Sequence, residues 1–135
     1  MLRHRVLLVD DEPWFIEALV ASLEAAGLEC VACTDMSSAL RELEKGGISA
    51  VVTDIMMPPG ADYPRVDSSE TGFYFVREIR ERFLRMPIVC LSVIGDQKCI
   101  NELKRQGVVY LRKGETPLAR AVQVIKYSAT GLSTF

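Results

Sequence analysis

Five short apolar runs divide the chain, and each is followed by a segment with helical periodicity. Most of the runs are rich in valine, isoleucine and leucine, which is typical of strands covered on both faces of a sheet. The runs are Arg5–Asp10, Glu29–Thr34, Ile48–Asp54, Pro87–Ser92 and Val108–Arg112. Because parallel strands need crossover connections, this alternation predicts an α/β fold: a doubly wound, five-stranded parallel sheet with helices on both faces.

Capping residues indicate where several helices begin. Pro13 suits the first turn of the first helix, because the N–H group that proline lacks would have no hydrogen-bond partner in that turn. Asp35 and Asp96 are the predicted N-caps of the second and fourth helices. Thr116, followed by Pro117, is the predicted N-cap of the fifth helix.

Length and composition exclude several classes of protein. At 135 residues, with 49% hydrophobic and 25% charged residues, the chain predicts one globular domain, with a core from about 4 to 127 and a frayed tail at 128–135. A net charge of −2 argues against a nucleic-acid surface. No apolar run approaches the roughly 20 residues that span a bilayer, and the first is too short for a signal peptide, so a cytoplasmic protein without membrane contact is expected.

The four cysteines are expected to be small buried hydrophobes in a reducing compartment. Cys30 and Cys33 have the spacing of a redox or metal motif, but they lie in an alternating strand. Residues three apart on a strand face opposite sides of the sheet, which suits neither a chelate nor a redox turn.

Polar side chains lie at the ends of four of the five runs. Asp10 and Asp11 end the first run, Asp54 the third and Ser92 the fourth, and Lys113 follows the fifth. Open α/β sheets bind ligands at the carboxyl ends of their strands, so these residues are expected to gather at one edge. Three carboxylates, a hydroxyl and an ammonium there suit a hard cation such as Mg²⁺ and a phosphoryl group.

Together these features resemble the response-regulator receiver domain of two-component signalling. The resemblance covers about residues 4–127. It rests on four motifs: VLLVDDEP (6–13), DIMMP (54–58), LS (91–92) and YLRK (110–113). It implies the strand order 2-1-3-4-5 and a signalling phosphoacceptor rather than an enzyme. The implied phosphodonor is a sensor histidine kinase or a histidine phosphotransfer protein, and phosphorylation would switch a surface offered to a downstream protein target or a fused output domain.

The resemblance also implies a role for each residue in Mg²⁺ binding. Asp54 would be the phosphoacceptor and, with Asp11, a direct Mg²⁺ ligand. Asp10 would act through a water molecule, and the backbone carbonyl of Met56 would complete the protein ligands.

The remaining implied roles concern the phosphoryl group and the switch. Ser92 and Lys113 would hold the phosphoryl group, and Ser92 with Tyr110 would form the switch. Two substitutions depart from the family pattern. In the family, the residue after the lysine is usually a proline joined by a cis peptide bond, and here it is Gly114. We therefore expect a trans peptide bond between Lys113 and Gly114, or a mobile loop at the lysine. Val93 replaces a small residue and is expected to hinder access to the phosphoryl group.

An insertion of about ten residues, at about 59–71, is the third departure. The glycine expected shortly after DIMMP appears only at Gly72, and helical spacing resumes at Phe73. Tyr63 and Val66 are the predicted anchors of this loop. It is either a tolerated surface insertion, since long loops cost little closure entropy, or a lid that selects the partner or slows the approach of water to phosphorylated Asp54.

Two other functions stay open at this stage. A receiver-like adaptor would bind partners without phosphorylation. An aspartyl-phosphate phosphohydrolase of the haloacid dehalogenase type is less favoured, because its second aspartate would fall where Met56 lies. The sequence leaves open whether the chain is a stand-alone regulator or part of a larger protein.

Overall fold

A computed structural model describes residues 3–93 and 96–131 of the chain. Strands and helices alternate throughout: β1 (Arg5–Val9), α1 (Pro13–Ala25), β2 (Glu29–Cys33), α2 (Met36–Glu44), β3 (Ile48–Thr53), α3 (Thr71–Arg82), β4 (Ile88–Ser92), α4 (Gln97–Arg105), β5 (Val109–Arg112) and α5 (Leu118–Thr130). All neighbouring strands pair in parallel, in the order β2-β1-β3-β4-β5. The predicted fold and strand order are confirmed.

Alternate residues of the strands supply two hydrophobic cores, one on each face of the sheet. Leu7 of β1 lies in the core covered by α2, α3 and α4, and its neighbour Leu8 lies in the core covered by α1 and α5. Cys33 belongs to the first core, whereas Cys30 packs against the second, so the two thiols face opposite sides as predicted. Burial raises the pKa of both thiols to about 11, which keeps them protonated and unreactive.

Two of the three predicted N-caps are confirmed. The Asp35 carboxylate accepts a hydrogen bond from the Ser38 amide at 2.8 Å, and the Asp96 carboxylate accepts one from the Lys98 amide at 3.0 Å. No helix within 3–93 and 96–131 is long and apolar enough to cross a membrane.

The predicted start of the last helix was wrong by one residue. Pro117 is the N-cap, and its carbonyl accepts hydrogen bonds from the amides of Arg120 and Ala121, both at 3.0 Å. Thr116 instead donates its amide to the Arg112 carbonyl at 3.0 Å and closes the turn after β5. Pro117 has a ψ of 143°, which is extended, so the helix begins only after it, at Leu118.

The end of the last helix also differs from the prediction. Residues 128–130 continue α5, and Ala129 is buried in the core shared with α1, which holds the last turn on the sheet. The helix ends at Gly131, whose positive φ of 71° allows its amide to cap the Tyr127 carbonyl at 2.7 Å. The rest of the predicted tail, 132–135, lies outside the described residues.

The insertion is anchored to the fold by the two side chains predicted from the sequence. Tyr63 and Val66 pack against the core under α2 and α3. The loop ends where α3 begins at Thr71, and the amide of Gly72, in the first turn of α3, donates to the Ile55 carbonyl at 2.8 Å. A Cβ atom on Gly72 would lie 2.5 Å from the Asp54 carbonyl oxygen, so the close approach of α3 to this chain segment requires glycine.

Candidate phosphorylation site

Asp10 and Asp54 lie side by side because the strands that precede them are paired. Val9 at the end of β1 pairs with Thr53 at the end of β3, and the Asp54 amide donates to the Val9 carbonyl at 3.0 Å. Each strand stops just before its aspartate, which leaves both carboxylates at the carboxyl edge of the sheet. Both residues are buried, at 5% and 6% exposure.

The Lys113 ammonium, at the end of β5, joins three acidic side chains. Its Nζ atom lies 2.7 Å from an Asp10 oxygen, 2.8 Å from a Glu12 oxygen and 3.1 Å from an Asp54 oxygen. The aromatic ring of Phe15 covers the same ammonium at 4.4 Å. The Lys113 side chain is only 6% exposed, so its ion pairs with the buried Asp10 and Asp54 are shielded from water, whereas Glu12 is 40% exposed.

The charges of this cluster are not balanced. Burial raises the pKa of Asp10 above its ordinary value, although the hydrogen bond from Lys113 opposes that change. Burial alone would lower the pKa of Lys113, but its hydrogen bonds to Asp10 and Glu12 and the charge of Asp54 outweigh burial and raise it. One ammonium therefore faces three carboxylates, and this excess of negative charge attracts a further cation.

Glu12 is the site residue that the sequence interpretation missed. Oxygens of Asp10, Glu12 and Asp54 all lie within 4.8 Å of one another, close enough to share a metal ion. The Glu12 amide also donates to an Asp10 oxygen at 2.9 Å, which holds the turn after β1. The signal was present in the sequence, because the acidic run after β1 has three members rather than two.

Asp11 lies outside this group of three acids and is exposed. The structure brings together Asp10, Asp54 and Lys113 as the sequence predicted, but it does not bring Asp11 to them. The role of Asp11 as a metal ligand therefore stays a prediction.

The backbone after Asp54 presents an unused acceptor. Ile55 and Met57 are buried at 1% exposure, whereas Met56 between them is 49% exposed. The Ile55 amide donates to an Asp54 side-chain oxygen at 2.7 Å. Within the described part of the chain no donor is bonded to the Met56 carbonyl. Carboxylate and carbonyl oxygens are the ligands that Mg²⁺ prefers, so this set of oxygens fits the ion.

Ser92 is the last residue of β4, and Tyr110 lies in the neighbouring strand β5, where it pairs with Cys90. Ser92 is fully buried, and its carbonyl accepts the Lys113 amide at 2.9 Å and the Tyr110 hydroxyl at 3.4 Å. Tyr110 is half-buried, and burial raises the pKa of its hydroxyl. The peptide bond from Lys113 to Gly114 is trans, with a φ of 86° at the glycine. Val93 is 61% exposed.

Comparison with known proteins identifies the family. The model of the response regulator receiver domain family matches residues 6–123. This chain belongs to the response regulator receiver domains. Receiver domains bind Mg²⁺ at an acidic pocket, and the group formed by Asp10, Glu12 and Asp54 is the matching feature here.

The receiver domain is also similar to parts of longer regulators. It is 33% identical over 110 residues to the response regulator protein FleR of Pseudomonas aeruginosa, covering 81% of this chain and 21% of that protein. It is 30% identical over 121 residues to the probable C4-dicarboxylate response regulator DctR of Halalkalibacterium halodurans, covering 81% of this chain and 44% of that protein. The chain thus spans less than half the length of these two relatives.

Solved structures share its fold. A response regulator receiver domain protein from Clostridium thermocellum superposes with a TM-score of 0.78 at 22% identity, covering 95% of both chains. The chemotaxis protein CheY4 of Vibrio cholerae superposes with a TM-score of 0.77 at 22% identity, covering 93% of this chain and 98% of that one.

The ammonium of Lys113 predicts a specific response to Mg²⁺. In Lys113→Met the buried carboxylates lose their counter-charge, so the free energy of unfolding in EDTA should fall by about 3 kcal/mol. Saturating Mg²⁺ should then stabilise the variant more than the wild type, because the ion takes over the neutralisation and binds only the folded state. Urea unfolding with and without Mg²⁺ measures both effects.

The matched control is Lys45→Met, which removes an exposed lysine paired with Glu42 on α2. It should change neither the stability in EDTA nor the response to Mg²⁺ by much. An equal response to Mg²⁺ in Lys113→Met and the wild type would contradict the assignment of Lys113 as the counter-charge of the site.

Proposed function

We propose that this receiver domain accepts a phosphoryl group on Asp54 in a Mg²⁺-dependent reaction, and that the acyl phosphate changes the surface offered to a partner. The observation that carries the proposal is the Asp54 carboxylate with the Lys113 ammonium 3.1 Å away, at the acidic edge of the sheet. A nucleophilic carboxylate beside a fixed positive charge is the arrangement that phosphoryl transfer needs.

The residues divide the work of the transfer. An Asp54 carboxylate oxygen attacks the phosphorus atom of a partner's phosphohistidine; an O–P bond forms, the P–N bond breaks, and the imidazole leaves with the electron pair. The Ile55 amide, 2.7 Å from one carboxylate oxygen, fixes the orientation of the nucleophile. Lys113 neutralises charge on the transferred group, and burial of the cluster strengthens that interaction. Mg²⁺ bound at this edge would supply further positive charge to the phosphoryl oxygens.

Response regulators in general interact with histidine kinases and downstream targets. For this chain the proposed phosphodonor is a sensor histidine kinase or a histidine phosphotransfer protein. The proposed recipient of the signal is a downstream protein or an output domain on the same polypeptide, which fits the greater length of the related regulators.

Phosphorylation is tested with a small-molecule donor. Incubation with acetyl phosphate and Mg²⁺ should add one phosphoryl group by intact mass, and omission of Mg²⁺ should prevent the addition. Asp54→Asn should abolish labelling because the nucleophilic oxygen is lost. Glu81→Gln is the matched control: Glu81 is an exposed acid on α3, and the variant should be labelled like the wild type. A folded wild type that is never labelled would favour the adaptor function.

The third acidic ligand of Mg²⁺ is settled by a matched pair of variants. We expect Asp11→Asn to weaken Mg²⁺ binding at least about tenfold, and Glu12→Gln to weaken it less. The reason is that Glu12 already accepts a hydrogen bond from Lys113 at 2.8 Å, whereas the exposed Asp11 is available at the same edge. Metal titrations of both variants provide the measurement. A larger effect of Glu12→Gln would assign the ligand to the group that the geometry brings together.

The proposed switch runs through Ser92 and Tyr110. Ser92 donates a hydrogen bond from its hydroxyl to the phosphoryl group, and the contact between the Ser92 carbonyl and the Tyr110 hydroxyl reorganises. The Tyr110 ring then turns inward and alters the surface formed by α4, β5 and α5. A ligand shifts such an equilibrium only by its differential affinity for the two states, so without the Ser92 hydroxyl the coupling is weakened.

Fluorinated tyrosine makes this switch observable by ¹⁹F NMR. Phosphorylation should shift the Tyr110 resonance in the wild type, whereas Ser92→Ala should be phosphorylated with a much smaller shift. Tyr74, exposed on α3 outside that surface, serves as the reference signal in the same spectrum. Equal Tyr110 shifts in the wild type and in Ser92→Ala would contradict the coupling.

A further inference from the structure

The chain segment that follows Asp54 is hydrogen-bonded to the start of α2. The carbonyl of Pro58 accepts the Met36 amide at 3.2 Å, and the carbonyl of Pro59 accepts the Ser37 amide at 3.0 Å. The first amides of a helix have no partner within the helix. In this protein the first two amides of α2 bind Pro58, just before the insertion, and Pro59, its first residue, so the start of the insertion is joined to α2 through backbone atoms.

A single buried hydroxyl reinforces this junction. Ser37 is 2% exposed, and its Oγ atom donates to the Pro59 carbonyl at 3.1 Å and accepts the Asp62 amide at 3.1 Å. These two bonds lie on either side of Gly60. A Cβ atom on Gly60 would lie 2.6 Å from the Ser37 Cβ atom, and the glycine has a φ of 90°, so the loop contacts α2 too closely for a side chain.

The other side of the segment is held by the end of the insertion and by the first turn of α3. The Met57 amide donates to the Ser68 carbonyl at 3.1 Å, and the Gly72 amide donates to the Ile55 carbonyl at 2.8 Å. Met56 therefore lies in a stretch of backbone that is fixed from the α2 side and from the α3 side. Its carbonyl is the one proposed to bind Mg²⁺.

We propose that Ser37 is a positioning residue for the metal site: through Pro59 and Pro58 it sets the position of the Met56 carbonyl. This inference rests on the proposed function of the site. Proline fixes φ near −65°, so Pro59, whose carbonyl accepts the Ser37 hydroxyl, and Pro58 before it transmit a displacement towards Met56 rather than absorb it. The insertion is thereby part of the metal site's support, because its residues 59–62 provide both partners of the Ser37 hydroxyl.

The test uses Mg²⁺ titration followed by fluorescence of Trp14, the only tryptophan of the chain. Its ring lies edge-on to Phe15 at 6.2 Å, and the Phe15 ring covers the Lys113 ammonium, so a cation entering the acidic cluster changes the surroundings of this reporter. Ser37→Ala should raise the dissociation constant for Mg²⁺ about tenfold, as loss of outer supports of a metal site does. Ser38→Ala, at the next position of the same turn, should leave the dissociation constant unchanged.

Gly60→Ala is the second variant, because its Cβ atom displaces the loop from Ser37 without altering α2. It should weaken Mg²⁺ binding in the same direction. Urea unfolding in EDTA is measured in parallel for each variant, so that lost stability is separated from lost affinity in the folded protein. Wild-type affinity in both Ser37→Ala and Gly60→Ala, whatever their stability, overturns the positioning role.

The wild type provides the remaining control. If the wild type binds no Mg²⁺, the proposed function fails together with this inference. If the wild type binds Mg²⁺ and is labelled by acetyl phosphate while both variants bind like it, only the role of Ser37 fails.

Discussion

The contact of the Lys113 ammonium with three carboxylates is the interaction on which the carboxyl edge of this sheet depends. Asp10 and Asp54 are held next to each other by the pairing of β1 and β3, and both are buried. Two carboxylates in that position repel each other and lose hydration, a combination that folded proteins tolerate only with a compensating charge. Lys113 supplies that charge from β5, 103 residues along the chain from Asp10.

The same contact makes the edge responsive to ligands. A cluster with three acids and one base is under-neutralised, so it has a free-energy gain available when a cation or a phosphoryl–metal pair is added. A stable scaffold would replace such a cluster with apolar side chains at little cost. Its presence at the ends of β1, β3 and β5 is therefore best understood as a property of a binding site, in agreement with the family to which the chain belongs.

The sequence predicted the parts of this structure that follow from periodicity and topology. Strand ends are set by runs of apolar residues, and a parallel sheet must bring those ends to one edge, so Asp10, Asp54 and Lys113 could be placed together in advance. Glu12 could not, because whether it or Asp11 turns towards the lysine depends on side-chain rotamers and on the turn after β1. The hydrogen bonds from α2 to the insertion could not be predicted either. Two of them are formed by backbone amides, which every residue type except proline has, so they leave no signal in the sequence.

The contacts that hold Asp54 and the segment after it on the sides of β1, α2 and α3 bear on how a signal would leave the site under the proposed function. β1 holds Asp54 through its amide, α3 approaches so closely that Gly72 has no room for a Cβ atom, and α2 holds the segment beyond Met56 through Ser37. These contacts are hydrogen bonds of the backbone and of the Ser37 hydroxyl, together with tight packing, and such contacts resist displacement. On the β4–β5 side the hydroxyl of Tyr110 reaches the Ser92 carbonyl at 3.4 Å, long for an O–H···O bond. Under the proposed function, a phosphoryl group added to Asp54 would meet these stiff contacts towards α2 and α3, and the proposed switch residues Ser92 and Tyr110 would lie on the opposite side, along β4 and β5.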